Sequence, residues 1–187
     1  IAGHEQKIYL LKPLFDQKKW FKILEKYGSA PIPPYIKHSP LSKSQLKEKY
    51  QTIFAKYAGS AAAPTASLHF TKRIFNNLKK AGIDAKFVTL HVGLGTFSPI
   101  SEENLKTKKL HAEFYKIDKK TARFLNKAKK QGRPIVAVGT TSARALESGA
   151  KGGQLHNLSA NTDIFIAEGY KFNFIDGMIT NFHVPKS

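Results

Sequence analysis

The chain has 187 residues, a length that suits one domain or one and a half, and 41% of them are apolar with 13 Phe and 7 Tyr, which suffices for a core and argues against disorder. It has no cysteine, no run of 18 apolar residues and no signal-peptide pattern. These absences argue against a disulfide scaffold, a thiolate metal site and a membrane partner, so we expect a cytoplasmic protein. Lys and Arg number 31 against 13 Asp and Glu, and the net charge of +18 favours a nucleic-acid partner. The alternative explanation is a lysine-rich proteome, in which the lysines merely cover helix surfaces.

The first 40 residues predict an amphipathic helix followed by a proline-rich connector. Apolar residues at helical spacing run from Phe15 to Tyr27, and Gly28 ends the helix. Residues 29–40 contain four prolines, which predicts an extended, polyproline-like segment. A rigid connector is the commonest role for such a segment, and a peptide ligand or a rigid wall of a site are the alternatives.

A loop of small residues follows the next predicted helix. Ser42 or Ser44 can cap this helix, which we expect to continue to about Tyr57. The loop Ser60–Ser67 contains no side chain larger than proline or threonine, so its backbone N–H groups could approach a ligand closely. A tight packing seam between domains is an equally good explanation.

A further helix then leads into a strand and a glycine-rich loop. Thr71 is the expected N-cap and Gly82 the expected C-cap of this helix. Residues 87–90 are β-branched or apolar and predict a strand, which opens into the loop His91–Phe97. Since loops that leave the carboxyl ends of strands line the ligand crevice in open α/β sheets, this loop is a candidate for binding.

A strand is also predicted over residues 110–117, after a helix start at Ser101. Its His111 and Glu113 are two residues apart and therefore share one strand face. A carboxylate beside an imidazole can orient the ring for proton transfer. A surface pair without any chemistry explains the spacing equally well.

An anion site is predicted where a buried strand meets a helix. Asp118 can cap a helix that ends at Gln131, and Arg133–Gly139 then forms a nearly continuous apolar strand, as central parallel strands do. The strand opens into the hydroxyl residues Thr140–Ser142 and then Arg144. Free N–H groups at a helix start, with three hydroxyls and an arginine, suit a carboxylate or a phosphate. Plain N-capping would explain only one of the three hydroxyls.

The last 39 residues predict short strands and turns. Residues 149–161 are rich in Gly and Asn and predict a loop, and Thr162–Ile166 predicts a strand. Alternation continues over 172–175, and Asp176–Gly177 is a turn signal before the strand-like run 178–185. Because no closing helix follows, we expect a truncated protein.

Five segments together resemble the family of S-adenosylmethionine:tRNA ribosyltransferase-isomerases, which act in queuosine biosynthesis. They are, in the order found in the family, YQTIFAKYAGSAAAPTASLHFT, VTLHVGLGTFSPI, HAEF, IVAVGTTSARALES and TDIFIAEGYKFNFIDGMITNFHVPKS. The resemblance covers roughly residues 30–187, and Pro33-Pro34-Tyr35-Ile36 matches a further family segment. Ser67 is a departure, because the family usually has glycine there.

The resemblance implies an α/β fold with a three-layer α/β/α main domain that carries an inserted β-barrel domain. The barrel is expected to be largely absent, because the proline-rich segment follows the match at residues 10–20 almost at once. Residues 1–28 would be a remnant of, or an edge segment next to, the barrel insert. Residues 29–187 would be the main α/β catalytic domain, truncated at its C-terminal end.

The resemblance also implies a reaction. The family transfers and isomerises the ribosyl group of S-adenosylmethionine onto 7-aminomethyl-7-deazaguanine at the tRNA wobble position, which gives epoxyqueuosine. S-adenosylmethionine would be a co-substrate, with no bound prosthetic group, and the modified tRNA would be the partner of a monomeric protein. The alternative is a non-catalytic, basic RNA-binding module derived from this family.

Candidate site residues follow from the matching motifs. Proton transfer is assigned to His111 with Glu113, or to His183. The residues expected to contact substrate are Pro64, Thr65, His69, Phe70, His91, Gly93, Gly95, Thr96, Phe97, Thr140, Thr141, Ser142, Arg144 and Asn181. Among them, residues 140–144 would hold the methionine carboxylate or a phosphate, and Phe97 could stack on the nucleoside. No metal site is expected, because no His-x-x-x-His spacing occurs.

Overall fold

The computed structural model describes residues 3–5, 8–10, 12–33, 36, 38–156 and 158–183. The helices are α1 Trp20–Tyr27, α2 Lys43–Lys49, α3 Lys72–Lys80, α4 Glu102–Thr107, α5 Lys119–Lys130 and α6 Thr140–Gly149, with 3-10 turns at Gln17–Lys19, Thr65–His69 and Leu94–Phe97. The strands are β1 Gly3–Glu5, β2 Ile8–Leu10, β3 Thr89–His91, β4 Lys109–Lys116, β5 Val136–Val138, β6 Ala150–Lys151, β7 Gln154–Leu155, β8 Ser159–Ile164 and β9 Gly177–Ile179.

Within the described residues, the strands form small sheets rather than one open parallel sheet. The three-stranded sheet has the order β3-β4-β8 and is antiparallel throughout. Strands β5 and β9 pair in parallel, while β1–β2 and β6–β7 are antiparallel pairs. The mixed α/β class is therefore confirmed, and the three-layer arrangement and the absence of the barrel stay predictions.

The core lies where α5 and α6 meet the sheets. Thr121 and Ala128 are two helical turns apart and share one face of α5 with the neighbouring Ala122, so this face is buried while the charged face remains in water. The other members of the core are Tyr115, Ile117, Ile135, Ala137, Ala143, Ala145, Leu146, Leu155, Phe174 and Ile175. Burial raises the pKa of the Tyr115 hydroxyl. This core holds α6, whose first turn belongs to the candidate site.

Local capping signals are confirmed at four helices. Ser42, Thr71, Ser101 and Asp118 each accept a hydrogen bond from the backbone N–H three residues on. The end of α3 follows the Schellman pattern, in which the Ile83 N–H donates to the carbonyl oxygen of residue 78 at 2.9 Å and the intervening Gly82 has φ +72.

The expectation that the second helix continues to Tyr57 is wrong, because α2 ends at Lys49. The chain leaves the helical path and places the Phe54 ring 5.9 Å from Phe75 and 4.9 Å from Phe87. Packing in this aromatic cluster replaces the continued helix, as tertiary contacts often override helix propensity.

Three further expectations need correction. Residues 149–161 are not all loop, since they contain the β6–β7 pair, joined by Gly152 and Gly153 at φ +56 and +73, and the start of β8. Residues 172–175 form a bend instead of a strand, for a reason given below. Strand β5 is not buried throughout, because Val136 is 52% exposed on the face of a sheet that has two strands in the described part of the chain. Pro34, Tyr35 and residues 184–187 lie outside the described residues.

Candidate active site

A cavity of about 460 Å³ lies where two loops, β4, the first turn of α6 and the segment after β9 meet. Several residues expected to form the site line it, and they come from distant parts of the sequence. They are Pro64, Thr65, Gly95, Thr96, His111, Glu113, Thr140, Thr141, Arg144, Asn181 and His183. The fold thus brings together most of the site that the motifs indicated.

A buried ion pair lies in the wall of this cavity. Arg144 Nη1 is 3.0 Å from Glu113 Oε2, and the two side chains are 17% and 5% exposed. The other carboxylate oxygen, Oε1, accepts a hydrogen bond of 3.0 Å from the Gly93 N–H. Glu113 therefore ties β4 both to α6 and to the glycine-rich loop. Arg144 Nε and Nη2 are buried and have no hydrogen-bond partner among the residues that the structure describes.

The first turn of α6 is capped by a glycine. Gly139 is the N-cap residue and has φ +86. As a glycine, it has no side chain that could bond to the helix start. A Cβ at this position would lie 3.2 Å from Thr141 Oγ1 and 4.0 Å from Pro64. The small-residue loop therefore packs close to the helix start, where the positive φ favours glycine. The arrangement leaves the N-terminal end of the helix dipole facing the cavity.

His111 lies at the cavity edge and is exposed. Gly95 packs against its ring so closely that a Cβ there would lie 2.1 Å from His111 Cδ2. The register of β4 against β8 shifts between Lys109 and Glu113, so the simple two-residue alternation does not hold across His111. Both His111 and Glu113 line the cavity, but Glu113 contacts Arg144 and Gly93.

The segment after β9 forms another wall. His183 Nε2 lies 3.3 Å from Thr180 Oγ1, and both residues line the cavity with Asn181. The Asn181 side chain accepts a hydrogen bond of 2.9 Å from the Phe182 N–H, which shapes this turn. Phe182 lines the same cavity and is 96% exposed.

The remaining expected site residues lie elsewhere. His91 packs on Phe114 with ring centroids 5.8 Å apart. Its ring also lies against Gly59, where an added Cβ would be 2.6 Å from His91 Nδ1. Phe70 and Ser142 line a second, mainly apolar cavity of about 370 Å³. His69 lines neither cavity, Gly93 contributes through its bond to Glu113, and the Phe97 side chain lies outside the described residues.

Glu147 positions a segment that contributes to the first cavity, and the sequence analysis did not single it out. It is 3% exposed, and its Oε1 accepts from the N–H groups of Phe174 and Ile175, both at 3.0 Å. Its Oε2 accepts from the Asn173 N–H at 2.7 Å and from the Tyr170 hydroxyl at 3.1 Å. These bonds bend residues 170–175 around the carboxylate and explain why no strand forms there.

The same bend carries Phe172 into the wall of the first cavity. Burial, and then the negative charge of Glu147, raise the pKa of the Tyr170 hydroxyl. The signal in the sequence was the acidic residue that directly follows Ala145 and Leu146, three positions after Arg144. An acid in such a position needs partners, and they could not be identified without the tertiary structure.

Neither a metal site nor a membrane-spanning helix is supported by the part of the chain that the structure describes. No group of three or more His, Asp or Glu side chains is close enough there to hold a metal ion. Within the same residues, none of the helices has the length and apolar character that a bilayer span requires.

Comparisons with known proteins agree on one family. A family model described as queuosine biosynthesis protein matches residues 3–187. The S-adenosylmethionine:tRNA ribosyltransferase-isomerase of Caldanaerobacter subterraneus subsp. tengcongensis is 52% identical over 167 residues, covering 89% of this chain and 48% of the relative. The enzyme of the same name from Rickettsia bellii is 51% identical over 167 residues, with 89% and 47% covered. The chain thus spans about half the length of these curated relatives.

A solved structure is also similar. The crystal structure of S-adenosylmethionine tRNA ribosyltransferase from Thermotoga maritima has a TM-score of 0.51 and 37% sequence identity to this chain. The superposition covers 65% of this chain and 37% of the Thermotoga chain.

Proposed function

Since this chain belongs to the family of queuosine biosynthesis proteins, we propose that it forms the catalytic α/β part of a ribosyltransferase-isomerase. It would transfer and isomerise the ribosyl group of S-adenosylmethionine onto 7-aminomethyl-7-deazaguanine at the tRNA wobble position and so form epoxyqueuosine. The match over residues 3–187 confirms the resemblance found in the motifs. The observation that carries the proposal is the cavity in which those motifs converge around the buried pair Glu113–Arg144.

The cavity supports this function by its size and lining. Its volume of about 460 Å³ lies within the range of small-molecule sites. Small residues such as Ala62 and Ala63 leave the backbone open to close contact, while Phe172 and Phe182 offer aromatic surface to a base. The first turn of α6 provides positive potential for the carboxylate or a phosphate, and Arg144 provides hydrogen-bond donors.

The chemistry requires few protein groups. The positive sulfur of S-adenosylmethionine acidifies the adjacent ribose carbon and leaves with the methionine, so the protein must supply mainly a base, an acid and a shielded pocket. His111 and His183 are the titratable imidazoles at this cavity in the described residues. An imidazole nitrogen can accept or donate a proton, and either ring could therefore move one during ribosyl transfer and epoxide closure.

The tRNA partner follows from charge and from the family. The net charge of +18 provides a field that attracts a polyanion. Clusters of lysine occur in the last turns of α3 and α5, at Lys79 and Lys80 and at Lys127, Lys129 and Lys130. We expect the protein to act on tRNA as a monomer in the cytoplasm.

An adenine-release assay tests the proposal. The chain is incubated with S-adenosylmethionine and a tRNA that carries 7-aminomethyl-7-deazaguanine at the wobble position, with an otherwise identical tRNA carrying guanine there as the control. Adenine release and epoxyqueuosine formation are expected only with the modified tRNA. Tight tRNA binding without binding of S-adenosylmethionine would refute the proposal and support the RNA-binding module.

A further inference from the structure

The ion pair Glu113–Arg144 has the chemistry of a receptor for an amino-acid group. We propose that it binds the zwitterionic end of S-adenosylmethionine, with Arg144 on the α-carboxylate and Glu113 on the α-ammonium group. This assignment rests on the proposed function, since it names the part of that ligand that enters this corner of the cavity. The sequence left open whether Arg144 binds a carboxylate or a phosphate, and this proposal selects the carboxylate. It also gives Glu113 a role other than orienting His111.

Arg144 has the free donors that a carboxylate needs. Glu113 occupies Nη1 at 3.0 Å, which leaves Nε and Nη2 buried without a partner among the described residues. These two nitrogens lie along one edge of the planar guanidinium, and such an edge matches the two oxygens of a carboxylate. Buried donors that lack a partner are unfavourable, so a ligand oxygen placed there would remove a cost already present in the fold.

Glu113 has the acceptor capacity that an ammonium group needs. Among the residues that the structure describes, its two oxygens receive one hydrogen bond each, from the Gly93 N–H and from Arg144 Nη1. Each carboxylate oxygen has a second lone pair, so the side chain can accept further bonds from a ligand in the cavity. The bonds to Gly93 and Arg144 hold the carboxylate in place before the ligand arrives, which lowers the ordering cost of binding.

The charge of the pair favours a zwitterion over a phosphate. Glu113 neutralises most of the charge of Arg144, because the two groups are 3.0 Å apart and Glu113 is 5% exposed. A phosphate dianion would meet the Glu113 carboxylate at close range, which is repulsive in a buried site. An amino acid presents adjacent opposite charges that complement the pair, and the positive end of the α6 dipole adds to the attraction for its carboxylate.

The first test uses the unmodified chain and requires no variant. Calorimetry compares S-adenosylhomocysteine, which carries the amino-acid end, with methylthioadenosine, which has the same nucleoside and thioether but no amino-acid end. S-adenosylhomocysteine is expected to bind at least about tenfold more tightly, the lower end for hydrogen bonds to charged groups. Equal affinities would refute the zwitterion site and leave the proposed function intact, whereas no binding of either compound would refute both.

The second test assigns the preference to the pair. Arg144→Met and Glu113→Gln should each abolish most of the preference for S-adenosylhomocysteine while the affinity for methylthioadenosine stays the same. The matched controls are Arg123→Met and Glu103→Gln, since these exposed residues line neither cavity. If Glu113→Gln fails to fold, Arg144→Lys serves instead, because it keeps the charge but loses the planar edge. A preference unchanged in Arg144→Met, or competition by inorganic phosphate at millimolar concentration, would refute the assignment.

Discussion

Replacing Glu147 by glutamine is expected to destabilise the protein and to loosen one wall of the cavity. The carboxylate accepts four hydrogen bonds from residues 170–175, of which three come from backbone N–H groups. Glutamine keeps one oxygen, which can still accept from Phe174 and Ile175. Its amide NH₂ group then faces the Asn173 N–H, and two donors oppose each other in a buried place.

The expected cost follows from these contacts. Leaving one buried N–H without an acceptor costs about 1–3 kcal/mol, and weakening the charge-assisted bonds at the other oxygen adds to this. A total of roughly 2–4 kcal/mol corresponds to a decrease of about 4–16 °C in the melting temperature for a chain of this size. The Tyr170 hydroxyl can rotate to accept a bond, so it contributes little to the loss.

Urea denaturation followed by circular dichroism measures the effect. Glu168→Gln is the matched control, because Glu168 is exposed in the same segment and should change the free energy of unfolding by less than about 0.5 kcal/mol. The affinity for methylthioadenosine should also decrease in Glu147→Gln, since Phe172 belongs to the cavity wall. A variant as stable as the unmodified chain would show that the four bonds do not hold this segment.

Three further predictions concern catalysis, pH and tRNA. His111→Ala should remain folded and bind S-adenosylmethionine but release adenine at least about a hundredfold more slowly, as for a lost acid–base group, and an unchanged rate would move the assignment to His183. The hydrogen bond from Lys129 and then that from the Ile135 N–H lower the pKa of Asp176 below its ordinary 3.8. The stability from Asp176 is therefore complete above about pH 4 and decreases as the pH falls through the lowered pKa, and Asp176→Asn should flatten the acid limb of a melting-temperature profile. Binding to tRNA should weaken steeply with salt in filter-binding assays, because 31 basic residues act on the phosphates, and a salt-independent affinity would contradict the electrostatic account.

The family, and several residues that line the first cavity, could be inferred from the sequence because a motif is recognised from its own residues, whatever the surrounding fold. The segments IVAVGTTSARALES and VTLHVGLGTFSPI identified the first turn of α6 and the glycine-rich loop, and both reach the cavity. Helix periodicity distinguishes one residue from the rest of this predicted set. Since each residue turns by about 100°, Ser142 points away from the face shared by Thr141 and Arg144, and the structure places it at the second cavity.

The sequence by itself determined the features that depend on residues close together in the chain, such as the ends of helices. The N-caps Ser42, Thr71, Ser101 and Asp118 bond to groups three residues away, and the positive φ of Gly82 needs only a residue without a Cβ. These features have the same local physics in any fold, which is why they could be predicted.

Only the tertiary structure decided which buried charges meet. Glu113 forms an ion pair with Arg144, and Glu147 accepts hydrogen bonds from residues 170–175. The partners are more than twenty residues apart, and a carboxylate in a core takes whichever donors the packing brings near, because a buried charge without partners is unfavourable. Tertiary packing also explains why α2 ends early, because Phe54 packs in the aromatic cluster with Phe87. It likewise places the His91 ring on Phe114, outside the cavity. These contacts form because they lower the free energy of the whole fold, so they cannot be predicted from any single segment of the sequence.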